Sequence, residues 1–498
     1  MEISISSEHF VLVGALLLFV SVLAGKLAYR FGAPALLLFL GVGMAFGWDF
    51  ISYRSVEMTQ FIGMIALCVI LFTGGMETSF AEIRPIALPG LVLATAGVML
   101  TALTVALFVW WVAPWIGIEM PFALALLLAA TISSTDSASV FSILRSKRQG
   151  LREHLRPLLE LESGSNDPMA YLLTIFLIGI LTHGDTAGGW GMEVLLFVVE
   201  LVVGIGAGYL IGRLAVWTIN RINLTNDSLY SVLLFAFILL AFSLTGLLHG
   251  NGYLAVYLAG LVVGNHALTR KRTLHVFFDG FTWLMQIIMF LALGLFVNSH
   301  ELFAPQTLLL GLAVGSFLIF VARPVVVFGC LLPFRRFTAR ARLYVAWVGL
   351  RGAVPILFAT YPLLAGIEQA DLIFNVIFLS TILSLAVQGT TVSGLANLLG
   401  LAFPEREATF GVNLSEDVPS ELTEVEVNGA MMARGGTLRE LTLPENTLVM
   451  MVARDGGYFV PKGDSRLQVG DKLLVISDRS EELAAICKQL GVDEVMPL

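Results

Sequence analysis

Charge is scarce in this chain. Only 13% of its 498 residues are Asp, Glu, Lys or Arg, against roughly 25% in soluble globular domains. That deficit excludes a water-facing surface over most of the chain. Cysteine is scarce as well. Cys68 and Cys330 lie in apolar runs and Cys487 in the tail, which suggests no disulfide framework. A basic excess is missing too. Residues 1–402 carry 20 basic and 20 acidic side chains, residues 403–498 carry 9 and 17, and the formal net charge is -8. No nucleic-acid partner is expected, because that needs a basic face. Finally, Met1 to Phe10 has no basic residue ahead of the first apolar run. The run therefore reads as a retained helix and not as a cleaved signal peptide.

In place of charge the chain has apolar residues, 57% of the total, with a mean hydropathy of +0.86. They fall into thirteen segments, at about 9–29, 34–48, 58–76, 88–113, 121–143, 156–182, 190–217, 228–248, 252–267, 275–297, 303–333, 341–363 and 372–399. Most are near the roughly 20 residues that cross a bilayer. Lipid offers no partner to backbone polar groups, so spans must be helices or a closed barrel. Continuous apolarity without alternation selects helices. The expected fold is an all-α polytopic membrane protein of about 13 transmembrane helices, in contact with membrane lipid. Alternate loops carry Arg30, Arg84, Arg145 to Arg156, Arg221, Arg270 to Arg272 and Arg335 to Arg342, while the opposite set carries Arg54 and little else. The basic loops are cytoplasmic by the positive-inside rule. This puts the N-terminus outside and the tail in the cytoplasm.

The acidic excess sits entirely beyond residue 402, which marks a domain boundary. Residues 1–402 form the membrane domain, 403–420 a linker, and 421–498 a small α+β domain. Its β-type runs are Glu424–Val427, Thr447–Ala453 and Leu473–Ile476, with turns at 455–457 and 470–471 and a helix at 480–490.

Ionisable groups in hydrocarbon cost roughly 2.5–3.5 kcal/mol or more and need a reason. Three segments hold the informative ones. The fifth contains Thr131-Ile132-Ser133-Ser134-Thr135-Asp136-Ser137-Ala138-Ser139. Its hydroxyls suit a broken helix lining an ion site. A contact of small residues between helices explains the serines, but not Asp136. The sixth contains Glu160-Leu161-Glu162-Ser163-Gly164-Ser165-Asn166-Asp167-Pro168. Helical spacing places Glu160, Ser163 and Asp167 on one face, and Glu162 and Asn166 on the next. Three carboxylates in eight residues are hard to read as packing, although Glu160 is close enough to the basic loop to be interfacial. The twelfth contains Gly349-Leu350-Arg351-Gly352-Ala353-Val354-Pro355. Arg351 needs a carboxylate partner there, for a structural pair or a functional one, and the sixth segment supplies candidates. Arg323, beside Pro324, can snorkel to the interface and is not assigned to the site. The fifth and twelfth segments are each next to last in a group of six, as inverted repeats around a midplane site require.

These residues suit exchange of a cation for protons. Burial disfavours the charged form of a carboxylate, and a nearby cation favours it. Proton and cation then compete for one group. Either ligand neutralises the site and lets it cross the low-dielectric barrier, while the empty charged site crosses poorly. Oxygen ligands suit hard alkali cations.

At these motifs the chain resembles the monovalent cation:proton antiporter family of the NhaP type. The likeness covers residues 9–399 and rests on Thr135-Asp136, on Glu162-Ser163 with Asn166-Asp167, and on Gly349-Leu350-Arg351-Gly352. The resemblance implies that Asp167 binds proton and cation in turn. It implies an ion site formed by Thr135 (through its carbonyl), Asp136, Glu162, Ser163 and Asp167, with the cation held at Asp136, Ser163 and Asp167. Asn166 would hold the two broken helices in register, and Arg351 would pair with Glu162. Asn in place of a second Asp before Asp167 is similar to the electroneutral branch. The family fold implies inverted repeats with two broken crossing helices, and a homodimer in the bacterial inner membrane whose core moves like an elevator. Thr-Asp-Ser-Ala in the fifth segment departs from the Thr-Asp-Pro of many relatives.

The tail resembles the TrkA-C type of regulatory domain through Leu438-Arg439-Glu440-Leu441, Arg454-Asp455-Gly456, Pro461-Lys462-Gly463-Asp464 and Gly470-Asp471. That likeness implies a gate or sensor with a small regulatory ligand, a nucleotide among the candidates, or else a dimerisation module without one. Together the two likenesses favour potassium over sodium as the transported cation, with no cofactor. Two rivals fit less well. An intramembrane aspartyl protease needs its second Asp in Gly-x-Gly-Asp, and Ser165-Asn166-Asp167 does not provide it. A tail-gated potassium channel needs a Thr-Val-Gly-Tyr-Gly filter, which is absent.

Overall fold

The computed structural model describes residues 7–31, 35–49, 55–183, 189–404, 421–432, 436–440, 447–454, 457–477 and 496–497. The chain forms two compact units, Met1–Pro404 and Glu405–Leu498.

The first unit is a helical membrane domain, and each of the thirteen apolar segments is helical. Among the described residues eight helices are long and apolar enough to cross a bilayer: Val56–Glu77, Phe80–Ile116, Leu155–His183, Trp190–Arg221, Ser228–Leu247, Lys271–Phe296, Pro305–Leu331 and Ala370–Leu398. Shorter apolar helices account for the first, second, fifth, ninth and twelfth segments. Tryptophans stay exposed on the outer surface, among them Trp110, Trp111, Trp115, Trp190 and Trp217, as expected of residues that face lipid and its interfaces.

The inverted repeat is visible in the irregularities of the helices. The fifth segment is Phe122–Thr131 followed by Ser137–Ser146, with non-helical backbone between them. The twelfth is Ala339–Trp347 followed by Ala353–Phe358, broken in the same way. The preceding segments match as well. The fourth has a π-helical turn at Leu93–Gly97 and the eleventh has one at Leu318–Ala322. Both following segments, Leu155–His183 and Ala370–Leu398, are 29-residue helices. Pro168 lies inside the first of these without ending it.

A two-stranded antiparallel ribbon pairs β1 (Gln149–Leu151), in the loop after the fifth segment, with β2 (Ala402–Pro404), after the thirteenth.

The second unit is built on an antiparallel sheet. Its strands are β3 (Glu421–Glu426), β4 (Thr447–Arg454), β5 (Gly457–Phe459), β6 (Lys472–Ser477) and β7 (Met496–Pro497), in the order β5-β4-β6-β3-β7. Three of these are the expected runs, and β5 and β7 are too short to stand out in the sequence. One face packs Val425, Val449, Val452, Leu473 and Val475 together. Arg454 and Asp471, from two of the quoted motifs, form a two-pronged ion pair at 2.7 and 2.6 Å. Of the linker expected at 403–420, Phe403 and Pro404 lie in β2, while residues 405–420, the helix expected at 480–490 and Cys487 lie outside the described residues.

Candidate ion site

The two breaks meet. Ser, Thr and Asp side chains compete with the helix for backbone hydrogen bonds, and residues 133–136 are four of them in a row. The Asp136 carboxylate caps the second half of the fifth segment, accepting from the Ser139 amide at 3.0 Å and from the Ser139 hydroxyl. Gly349, Gly352 and Pro355 weaken the helix in the twelfth segment. There the Leu350 carbonyl accepts from the Asp136 amide at 2.8 Å, and the Arg351 guanidinium donates to the Ser134 carbonyl. Each break thus supplies backbone partners that the other lacks. Gly352 is required by this crossing, because a Cβ there would overlap the Asp136 carboxylate.

The sixth segment holds the fifth in place. The Ser163 hydroxyl donates to the Thr135 carbonyl at 2.8 Å and accepts from the Ser137 amide at 3.1 Å. The Asn166 amide donates to the Thr135 hydroxyl at 2.6 Å. Thr135, Ser163 and Asn166 are therefore brought together by direct bonds, with Asp136 next to Thr135 in the chain. Asp167 is buried beside them, with its Oδ1 unpartnered.

A cavity of about 450 Å³ ends at this cluster. Glu160, Ser163, Gly164 and Asp167 line it, as do Asp136, Ser137 and Ala138. This is the helical face expected to carry Glu160, Ser163 and Asp167. The cavity reaches Arg145, Ser146 and Arg156, beside the basic loop between the fifth and sixth segments. At that end Glu160 accepts from Arg156 at 2.9 Å.

Glu162 and Arg351 depart from expectation. Glu162 is on the adjoining face and does not line the cavity. Its partner is Arg323, at 2.5 Å, and not Arg351. Arg323 is buried and does not snorkel, being only 3% exposed. It follows directly on the π turn at Leu318–Ala322, and such a widened turn re-aims the side chains after it. Its guanidinium passes close over Gly349, where a Cβ would strike Nε. A charge inside an apolar run was the available signal for Arg323, and its neighbour Pro324 made an interfacial position equally plausible.

Arg351 is buried without a carboxylate hydrogen bond, and its Nε and Nη2 are unpartnered. Arg323, Glu162 and Asp167 all lie within electrostatic range of it. Its own amide donates to the Ser384 hydroxyl at 2.9 Å, and Ser384 is bonded to Gln388 at 2.5 Å. Gln388 in turn donates to the Trp347 carbonyl at 2.6 Å. Neither Ser384 nor Gln388 stands out in the sequence, where both read as small-residue or polar packing.

Comparison with known proteins matches residues 15–398 to the sodium/hydrogen exchanger transmembrane family. The chain belongs to that family. As a member of it the chain is a multi-pass membrane transporter. Residues 422–491 match the TrkA-C domain. The chain is 36% identical to the K⁺/H⁺ antiporter NhaP2 of Shewanella baltica, over 95% of this chain and 81% of that protein. It is also 36% identical to the K⁺/H⁺ antiporter NhaP of Alkalimonas amylolytica, over 94% and 80%. In fold it is similar to the sodium proton antiporter MjNhaP1 from Methanocaldococcus jannaschii, with a TM-score of 0.67 and 22% identity over 78% of this chain and 97% of that one.

Proposed function

We propose that this exchanger moves a monovalent cation, K⁺ in preference to Na⁺, against protons, one for one, by competition of the two ions for Asp167. The observation that carries the reading is the unpartnered Asp167 carboxylate oxygen, buried where a cavity from the basic-loop side ends. Hydroxyl, carbonyl and carboxylate oxygens converge there, which is the donor set of a hard cation. The Ser163 hydroxyl has its proton committed to Thr135 and keeps a lone pair for a cation. The Thr135 carbonyl and the Asp136 carboxylate also keep acceptor capacity beyond the bonds they make. Asn166 holds the break of the fifth segment on the sixth. Glu162 acts at one remove, balancing Arg323 and Arg351, so that Asp167 is the carboxylate left to gain and lose charge.

K⁺ is favoured because the two relatives named above at 36% identity are K⁺/H⁺ antiporters and align with 95% and 94% of this chain. Transport takes place in the bacterial inner membrane, through residues 1–402 of a homodimer whose site-bearing helices move like an elevator. The N-terminus is outside and the tail, residues 421–498, is a cytoplasmic regulator that senses a small ligand such as a nucleotide.

The test is proton movement in proteoliposomes of the full chain, with K⁺, Na⁺, Li⁺ or Rb⁺ added separately, for wild type and Asp167→Asn. K⁺ should dissipate a proton gradient in the wild type, and the variant should be inactive while remaining folded. Substantial exchange by Asp167→Asn would remove Asp167 from the mechanism. A response to Na⁺ alone would keep the site and overturn the cation assignment.

A further inference from the structure

Beyond Asp167 the sixth segment runs on, away from the cavity, and there side chains from several segments close the molecule. No cavity-lining residue of the sixth segment lies past Asp167, and none of the twelfth lies past Val354. Tyr171, one helical turn after Asp167, packs edge-on against Tyr253 of the ninth segment at 5.0 Å and against Tyr361 of the twelfth at 5.3 Å. Phe358 and Phe242 fill the remaining space around Tyr253.

Two hydrogen bonds cross this packing. The Tyr253 and Tyr361 hydroxyls meet at 3.0 Å. The Asn251 amide donates to the Pro168 carbonyl at 3.0 Å, one residue from Asp167. Asn251 is a built-in anchor. Its Oδ1 caps the ninth segment through the Leu254 amide at 3.0 Å, and its own amide donates to the Glu200 carbonyl of the seventh segment at 2.9 Å. It is fully buried, as is Tyr253, and the donor to Pro168 is its side-chain Nδ2 while the donor to Glu200 is its backbone N–H. Both bonds run from the ninth segment, which lines the cavity with Tyr257 but carries none of the proposed ion ligands, to the sixth and twelfth, which carry Asp167 and Arg351.

We infer that the Tyr253–Tyr361 and Asn251–Pro168 bonds form the closure on the far side of the ion site, and that Asn251 and Tyr361 are positioning residues setting the balance between the two orientations of the transporter. The inference rests on the exchange reading, because only an alternating transporter must open this side. Whenever Asp167 faces the opposite solution both bonds have to part, and while they hold, the cavity stays open towards the basic loop. Weakening them shifts the population away from the orientation described.

The experiment uses the full chain in proteoliposomes with Ser142→Cys as a reporter in the cavity wall and Cys487→Ser to silence the tail. Cys68 and Cys330 are buried. A membrane-impermeant maleimide is applied from the basic-loop side. Tyr361→Phe and Tyr253→Phe should each shift the orientation equilibrium about threefold to tenfold, the effect of one net hydrogen bond, and slow labelling in step with the lost open fraction. The double variant should slow it no further, because both changes delete the same bond. Asn251→Asp, which keeps the capping oxygen and loses the donor, should act in the same direction. Unchanged labelling in the single variants, or a double variant equal to the product of the two, would overturn the closure. Exchange is measured on the same preparations. Shifted labelling in the variants, beside a wild type that moves no protons with any of these cations, keeps the closure between two orientations and removes the cation/proton exchange reading. Normal exchange with unshifted labelling removes the closure alone.

Discussion

The fifth and sixth segments and the twelfth and thirteenth are built alike and charged differently. In each pair a broken helix is held by a serine of the long helix that follows. Ser163 binds the break at Thr135 and Ser137, and Ser384 binds the break at Arg351. The first pair places Asp136 and Asp167 at the crossing, and the second places Arg351 and Gln388 there. The shared backbone explains why the breaks meet, since the two repeats run in opposite senses and each supplies the other's missing partners. The difference explains why the meeting point is polar on one side and cationic on the other. Geometry comes from the repeat, and chemistry from where the repeats diverge.

The most severe way to break this arrangement is to remove the counter-charge that the two halves share. Glu162 comes from the first and Arg323 from the second, and both are almost fully buried. Glu162→Ala leaves Arg323 buried and unpaired beside Arg351, which costs about 3–5 kcal/mol. Thermal unfolding in detergent should show a large loss of stability. Glu162→Leu combined with Arg323→Met should recover most of it. A double variant as unstable as the single one would mean that the pair is not what holds the halves together.

A smaller loss is expected at the crossing itself. Gly352→Ala drives a methyl into the Asp136 carboxylate, and overpacking of this kind costs about 1–3 kcal/mol. Exchange should fall by about tenfold or more. Gly74→Ala is the control. It lines the same cavity and has nothing within 4 Å of its Cβ position. Equal effects at the two glycines would mean that the approach of the breaks does not set the rate.

Much of this was legible in the residues, for physical reasons. Apolar run length determines the thirteen segments, because the bilayer sets that length. The breaks announce themselves through Ser-Ser-Thr-Asp and Gly-Leu-Arg-Gly, since few other residues weaken a membrane helix. Helical spacing alone put Glu160, Ser163 and Asp167 on one face, and the structure lines the cavity with that face. What stayed hidden depends on distant partners. Whether Glu162 takes Arg351 or Arg323 is decided by a π turn in another segment, which has no sequence signature as clear as a proline. The Ser384–Gln388 relay resembles ordinary packing until the break it supports is seen. Asn251 looks like a helix cap, which it is, and its second bond to Pro168 involves a residue 83 positions away.

The finest test of the comparison is to remove the matching serine from each half. Ser163→Ala deletes two backbone hydrogen bonds and an oxygen proposed to face the cation. Ser384→Ala deletes one bond to Arg351 and leaves Gln388 without that partner. Each bond is worth about 0.5–1.5 kcal/mol net. If the first half is the binding half, Ser163→Ala should raise the half-saturating cation concentration about tenfold, whereas Ser384→Ala should lower the maximal rate about threefold and leave half-saturation nearly unchanged. Proton flux at graded K⁺ separates the two effects. Equal shifts in half-saturation would mean that the cation is shared evenly between the halves, and Arg351 would then have to leave the crossing when the ion binds.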